Sequence, residues 1–320
     1  MEHSDYRGRF APSPTGPLHF GSLVAAVGSY LDAKHRNGTW LVRMEDLDVP
    51  RCVTGAADDI LHTLEAFGLH WDESIIYQSR RNASYEEALQ QLLAFGAAYP
   101  CACTRKEIAD SALHGIDGQI YPGTCRNGVP PGREGRAWRV RTNISSSVRA
   151  ELVEAPLPFD KLSANGPVIE LDDALQGHVA QHLESEIGDF VVKRADGLFA
   201  YKLAVVIDDA FQGITHVVRG ADLLHSTPRQ IYLQRLLGLA TPAYLHLPVA
   251  VNAQGEKLGK QTLALPVETS NAASTLFGVL VFLRQQPPAE LQTENIEQIL
   301  SWAIANWQSN ALLNCRQLAM

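Results

Sequence analysis

The sequence predicts a doubly wound α/β domain, and three observations carry that expectation. A strand, a rigid turn, a helix and a second strand follow one another between Arg7 and Met44, which is the crossover unit of a parallel sheet. The hydrophobic fraction is 46% over 320 residues. That is enough for a full-sized core and, at roughly 150 residues per domain, for about two domains. The charged fraction of 19% is low, which argues against disorder.

Arg7 to Ala11 is a short extended run, closed by the turn residues Pro12 to Pro17, PSPTGP. A helix is expected to begin near Ser22, because Leu23, Val27, Tyr30 and Leu31 recur at helical spacing, and Asn37-Gly38 stops it. Thr39 to Met44, TWLVRM, reads as the second strand and runs into Glu45, Asp46 and Asp48. Further helices are expected over about Thr54 to Phe67 and Ser84 to Phe95. From Tyr99 to Arg136 the chain turns to Cys, Gly, Pro and Arg with little periodicity; such a stretch buries no core of its own, and metal is the obvious staple. Asn143 to Pro167 fits no element and is expected to be a surface insertion. Phe190 to Lys193 reads as strand, and Phe199 to Asp208, FAYKLAVVID, as the most strand-like run of all, with Asp208-Asp209 an acid pair in the following turn, near the acceptor. A helix follows from about Thr227 to Leu237 with Pro228 in its first turn, then a last short strand from Leu247 to Val251. After Val267 the chain reads as helical to its end.

Apolar runs such as Phe277 to Leu283 are far shorter than the about 20 residues that span a bilayer, and MEHSDYRGRF lacks the apolar stretch of a secretory signal. A soluble cytoplasmic protein is expected, a monomer with no membrane partner. Lys and Arg number 27 against 35 Asp and Glu, a net charge of -8. That argues against coating nucleic acid by general electrostatics, though one folded RNA can still meet a local basic patch.

Two segments point to phosphate chemistry. RFAPSPTGPLHFGS, Arg9 to Ser22, is a strand and a rigid turn delivering His19 and Gly21 to the first turn of a helix. Free N–H groups at a helix start bind phosphate, a glycine lets a nucleotide approach the backbone, and an imidazole can donate to phosphate oxygens. EKLGKQT, Glu256 to Thr262, sets Lys257 and Lys260 three apart beside a glycine, suited to the charge of a departing pyrophosphate. Of the five cysteines, Cys101, Cys103 and Cys125 cluster, with Tyr121 four residues before the last. Three thiolates and one further ligand would make a closed tetrahedral zinc site. His114 is the commoner type of fourth ligand, Tyr121 the rarer, and three reduced thiols without metal fit the spacing equally well.

These segments together resemble the glutamate branch of the class I aminoacyl-tRNA synthetases. LHFGS, Leu18 to Ser22, looks like the HIGH signature without its second His, and KLGKQ, Lys257 to Gln261, looks like the KMSKS loop with both lysines kept. VRMEDLD at Val42 to Asp48, YKLAVVIDD at Tyr201 to Asp209 and VVRGADLLHSTPRQIYL at Val217 to Leu233 match the same branch. The resemblance covers most of residues 7 to 265 and implies a Rossmann-type doubly wound catalytic domain. Its halves would be residues 1–98 and 190–266, around a zinc-containing, acceptor-like insertion over 99–189, with a helical stem-contact-like region over 267–320. A full glutamyl-tRNA synthetase continues into an anticodon-binding domain, whereas this chain ends at Met320. It is therefore similar to the short, stand-alone members of the branch, which activate L-glutamate with ATP and attach it to the queuosine base in the anticodon loop of tRNA(Asp). An enzyme that draws the anticodon loop to its own active site is expected to need no second anticodon reader.

The resemblance assigns the amino-acid pocket to Arg9, Ser13, Glu45, Tyr201 and Arg219. The chemistry agrees: Arg forks match carboxylates, Glu45 is an anion for an ammonium, and Tyr201 and Ser13 are neutral contacts. It assigns ATP to His19, Gly21, Lys257 and Lys260, with Mg²⁺ on the phosphates. It also implies one structural zinc on Cys101, Cys103, Tyr121 and Cys125. Two other readings compete. A truncated synthetase would charge a tRNA 3′ end, against which chain length and the Cys/Tyr cluster weigh. An inactive module would only bind RNA or protein, against which His19 and both lysines weigh.

Overall fold

The structure is a computed structural model that describes residues 5–111, 114–115, 118–143, 162–163, 166–258 and 265–320 of the chain. Lys260 and most of the expected insertion at 143 to 167 lie outside the described residues, but its end is corrected: Leu162–Ser163 and Gly166–Asp173 are strands paired antiparallel.

The parallel sheet is built as expected. Strand Arg7–Phe10 pairs in parallel with Thr39–Met44, Arg7 opposite Thr39 and Phe10 opposite Val42, and the latter strand pairs in parallel with Ile76–Tyr77. On the other side of Arg7–Phe10 lies His216–Gly220, tied by Thr215 N–H to the Arg7 carbonyl at 3.0 Å, and it pairs in parallel with Ala243–Leu247. The chain thus winds outward in both directions from its first strand. In such a sheet the crevice opens at the carboxyl ends of the two strands where winding reverses, here at Phe10 and Gly220.

The first helix, Phe20–His35, starts two residues before the expected position because His19 caps it, its ring Nδ1 accepting from Ser22 N–H at 3.3 Å. Leu23, Val24, Val27 and Leu31 bury one face on the sheet. Gly28 allows that contact, since a Cβ there would stand 2.4 Å from Leu247 Cδ1. Helices Ala56–Ala66 and Asn82–Ala94 fall where the periodicity puts them.

The segment Phe199 to Asp208 is corrected: Tyr201–Phe211 is a helix. Leu203, Ala204, Val205 and Val206 are all buried, because the helix packs between Asn82–Ala94 and the helix Thr227–Leu236. The β-branched run Val205, Val206 and Ile207 favours a strand by residue type, although Lys202 and Asp209, seven apart, share one face of the helix. Asp208 and Asp209 are accordingly not turn residues but buried anchors. Asp208 accepts from Arg81 Nε at 2.6 Å, Tyr85 Oη at 2.7 Å and Gln78 Nε2 at 2.8 Å. Removing one member of a buried ion pair costs about 3–5 kcal/mol. Asp208→Ala is therefore expected to lower unfolding free energy in urea by about that amount, and a loss below about 1 kcal/mol would contradict the anchor.

The strand expected over Leu247 to Val251 is corrected to Val249–Val251, and a strand that was not expected, Ala243–Leu247, ends before Pro248, which has no N–H to give a ladder. The chain end is also corrected. Helices Ala272–Phe282 and Ile296–Asn306 pack on the first helix and share its core through Leu276, Leu280, Ile299 and Leu300, but Gln317–Ala319 closes as a strand parallel to Val249–Val251. Three residues are too few to show any period.

A separate antiparallel sheet, in the order Phe190–Lys193, Ala137–Val140, Ala98–Cys101, carries the cysteine-rich segment between its last two strands. Its hinge point is Asp189, buried, which accepts from Arg126 Nε at 2.8 Å, Thr142 N–H at 2.9 Å and the Tyr99 hydroxyl. Among the described residues no helix is long and apolar enough to cross a membrane.

Candidate active site

A cleft of about 480 Å³ opens at the switch point of the parallel sheet. Arg9, Ser13, His19, Gly21, Glu45, Tyr201, Arg219 and Lys257 all line it, although six separate stretches of chain contribute them. Lys260, the remaining residue expected at the nucleotide, lies outside the described residues.

Strand ends deliver the charged groups. Glu45 follows Thr39–Met44, its N–H held by the Pro12 carbonyl at 2.9 Å. Its side chain is 8% exposed, Oε1 has no hydrogen-bond partner among the described residues, and Arg43 Nη2 stands 3.5 Å away. Burial pushes the Glu45 carboxyl up to about 7, with Arg43 and Arg9 only partly offsetting it. Arg9 and Arg43 share one counter-ion. Asp209 accepts from Arg9 Nε at 3.1 Å and from Arg43 Nη2 at 2.7 Å, and Gln212 takes Arg43 Nη1. Burial pushes Asp209 up, but the two guanidinium groups outweigh it and hold its carboxyl below the usual range.

Arg219 is different. It is 6% exposed, and every hydrogen bond the structure gives it goes to a neutral acceptor. Nε donates to His246 Nε2 at 3.2 Å, Nη1 to Tyr201 Oη at 3.3 Å, and Nη2 to Thr227 Oγ1 at 2.9 Å and Gln230 Oε1 at 2.8 Å. Among the described residues no carboxylate pairs with it. His246 in turn faces Asp173, Nδ1 to Oδ2 at 2.6 Å, both side chains fully buried. Because Arg219 donates to Nε2, the proton of the neutral ring sits on Nδ1 and goes to Asp173. Burial lowers His246 below its ordinary range, with Asp173 opposing and Arg219 reinforcing the shift. Thr227, Gln230, His246 and Asp173 were not picked out from the sequence. The available signal was a lone His in the apolar strand AYLHL, and Thr227 and Gln230 one turn apart on a helix after Arg219.

At the far end of the cleft the first helix presents its N-terminus, with no acidic residue in the first turn to neutralise it. His19 Nε2 lies 3.0 Å from Ser22 Oγ. A Cβ on Gly21 would stand 3.3 Å from both the His19 ring and the Leu258 carbonyl, so the glycine keeps the helix start close to the lysine loop. Lys257 reaches over the cleft and pairs with Asp222, another lining residue.

The three cysteines meet outside the cleft. Their sulfur atoms lie within 4.8 Å of one another, Cys103 to Cys125 at 3.6 Å. Tyr121 Oη joins them, 3.4 Å from Cys101 Sγ and 3.5 Å from Cys103 Sγ. Tetrahedral zinc with Zn–S near 2.3 Å sets its sulfur ligands about 3.8 Å apart, so this donor set fits that ion. The side chain of His114, the alternative ligand, lies outside the described residues.

Comparison with known proteins identifies the family and the fold. Residues 5–275 match the family model of the class I tRNA synthetases (E and Q), catalytic domain. The chain is 56% identical over 312 residues to the glutamyl-Q tRNA(Asp) synthetase of Dechloromonas aromatica, covering 97% of this chain and 96% of that one. It is 54% identical over 307 residues to that of Chromobacterium violaceum, covering 96% and 95%. The fold is that of a glutamate-tRNA synthetase from Elizabethkingia anophelis, with a TM-score of 0.74 at 22% identity over 99% of this chain and 68% of the other. With that identity along almost its whole length, the chain belongs to the glutamyl-Q tRNA(Asp) synthetases, ligases built on the class I tRNA synthetase catalytic domain.

Proposed function

We propose that the protein joins L-glutamate and ATP into glutamyl-adenylate without any tRNA, and then passes the glutamate to the queuosine base at the anticodon wobble position of tRNA(Asp). One observation carries the substrate class: a buried cation with only neutral partners, Arg219, shares a cleft with a buried carboxylate oxygen that lacks a hydrogen-bond partner, on Glu45. That pair complements an amino acid with an acidic side chain, Glu45 taking the ammonium and Arg219 the side-chain carboxylate. Arg9 supports the carboxylates, and Tyr201 and Ser13 orient the substrate.

Activation is in-line attack of the substrate α-carboxylate on the α-phosphate of ATP, with pyrophosphate leaving. No general base is required, since a carboxylate is ionised at pH 7. Positioning and charge stabilisation remain, and His19, the free N-terminus of the first helix, Lys257 and Lys260 supply them, while Gly21 admits the nucleotide. Mg²⁺ neutralises phosphate charge when bound. In the transfer step a hydroxyl of the queuosine cyclopentene ring attacks the glutamyl carbonyl, AMP leaves, and its phosphate is the base we assign to the proton. Labelled glutamate is expected to enter tRNA(Asp) from queuosine-making cells and not tRNA(Asp) from cells unable to make queuosine. Labelling of the latter at its 3′ end would overturn the assigned acceptor.

The thiol cluster is proposed as a structural zinc site with Cys101, Cys103, Tyr121 and Cys125 as ligands. Metal analysis of the purified protein is expected to find one zinc per chain, lost in Cys103→Ser. Unchanged zinc in that variant would refute the assignment.

A further inference from the structure

We infer that Thr227, Gln230 and His246, with Asp173 behind them, are specificity-determining positioning residues that surround Arg219 with neutral acceptors and so reserve its charge for the substrate's side-chain carboxylate. The inference rests on the reading of glutamate as substrate. A buried charge left without a counter-ion costs stability, and the neighbouring Arg9 and Arg43 lower that cost by both pairing with Asp209. Arg219 does not, although it is almost as buried as they are.

The acid behind His246, Asp173, is kept one ring away. Its Oδ2 takes the Nδ1 proton of His246, which turns the Nε2 lone pair toward Arg219, while its Oδ1 is occupied by the N–H groups of Leu175, Gln176 and His246. Thr227 Oγ1 and Gln230 Oε1 both accept from Nη2, fixing the plane of the fork. None of these four residues lines the cleft, so they act on the substrate through groups that do, all four through Arg219 and Gln230 also through its neighbour Tyr201. An acid at any of the three contact positions would neutralise the guanidinium and remove the advantage of a carboxylate over a carboxamide.

Gln230→Glu makes that change with almost no change of shape, and Gln230→Leu removes the same hydrogen bond without adding charge. Calorimetric titration with L-glutamate, L-glutamine and ATP is the readout. Gln230→Glu is expected to weaken glutamate at least 100-fold, with ATP affinity and melting temperature no lower than wild type. Gln230→Leu is expected to stay within tenfold of wild type for glutamate. Equal weakening in the two variants, or glutamate affinity unchanged in Gln230→Glu, would overturn the inference. So would wild-type protein that binds glutamine as tightly as glutamate. Wild-type protein that binds glutamate and loses it in Gln230→Glu, yet forms no adenylate, would sustain the inference and defeat the proposed reaction instead.

Discussion

Glu45→Gln is expected to lower kcat/KM for glutamate in pyrophosphate exchange by about 30- to 5000-fold, the range that corresponds to losing one member of a buried charge pair, about 2–5 kcal/mol. The variant keeps the shape of the side chain and removes the anion that faces the ammonium. Because burial holds the wild-type carboxyl at about 7, it takes up a proton as pH falls through that value. Wild-type kcat/KM for glutamate should therefore fall about tenfold per pH unit below 7, and Glu45→Gln should show no such limb. The stability sign runs the other way. A carboxyl whose folded pKa lies above the free value of 4.5 makes the protein lose stability as pH rises from 4.5 to about 7, since the folded state holds the proton more tightly. At pH 8 Glu45→Gln should melt no lower than wild type. A variant that lost activity and melted lower would mark Glu45 as a structural residue.

Arg219→Lys is expected to raise KM for glutamate about 100-fold while KM for ATP stays put. An ammonium keeps the positive charge but not the planar fork that presently serves His246, Tyr201, Thr227 and Gln230 at once. A lysine has three N–H donors against the guanidinium's five, four of which already serve these neighbours, so it cannot satisfy those acceptors and keep a donor for the carboxylate. Steady-state exchange at varied glutamate and at varied ATP separates the two constants. An equal rise in both would point to a general disturbance of the cleft.

Much of this site was legible in the sequence because its residues sit at strand ends and turns with strong local chemistry. The turn from Pro12 to Pro17 fixes where His19 meets the helix start, and the strand TWLVRM fixes where Glu45 emerges. The helix Tyr201–Phe211 was not legible, since its β-branched run Val205 to Ile207 carries a strand preference that tertiary packing overrides. Its two aspartates were misread for the same reason: inside a helix they face Arg9, Arg43 and Arg81, three partners that lie more than 100 positions away in the chain. Likewise, the acceptors behind Arg219 come from a helix and a strand whose meeting depends on tertiary packing alone. Net charge was silent on all of this, because the decisive quantity is which buried charges are compensated and which are not.

The most direct test of the account is ATP–pyrophosphate exchange by the purified protein without any tRNA, with L-glutamate, L-glutamine and L-aspartate supplied in turn. The account predicts exchange with glutamate and none above background with the other two. Silence with glutamate until tRNA is added, or equal exchange with glutamine, would contradict it.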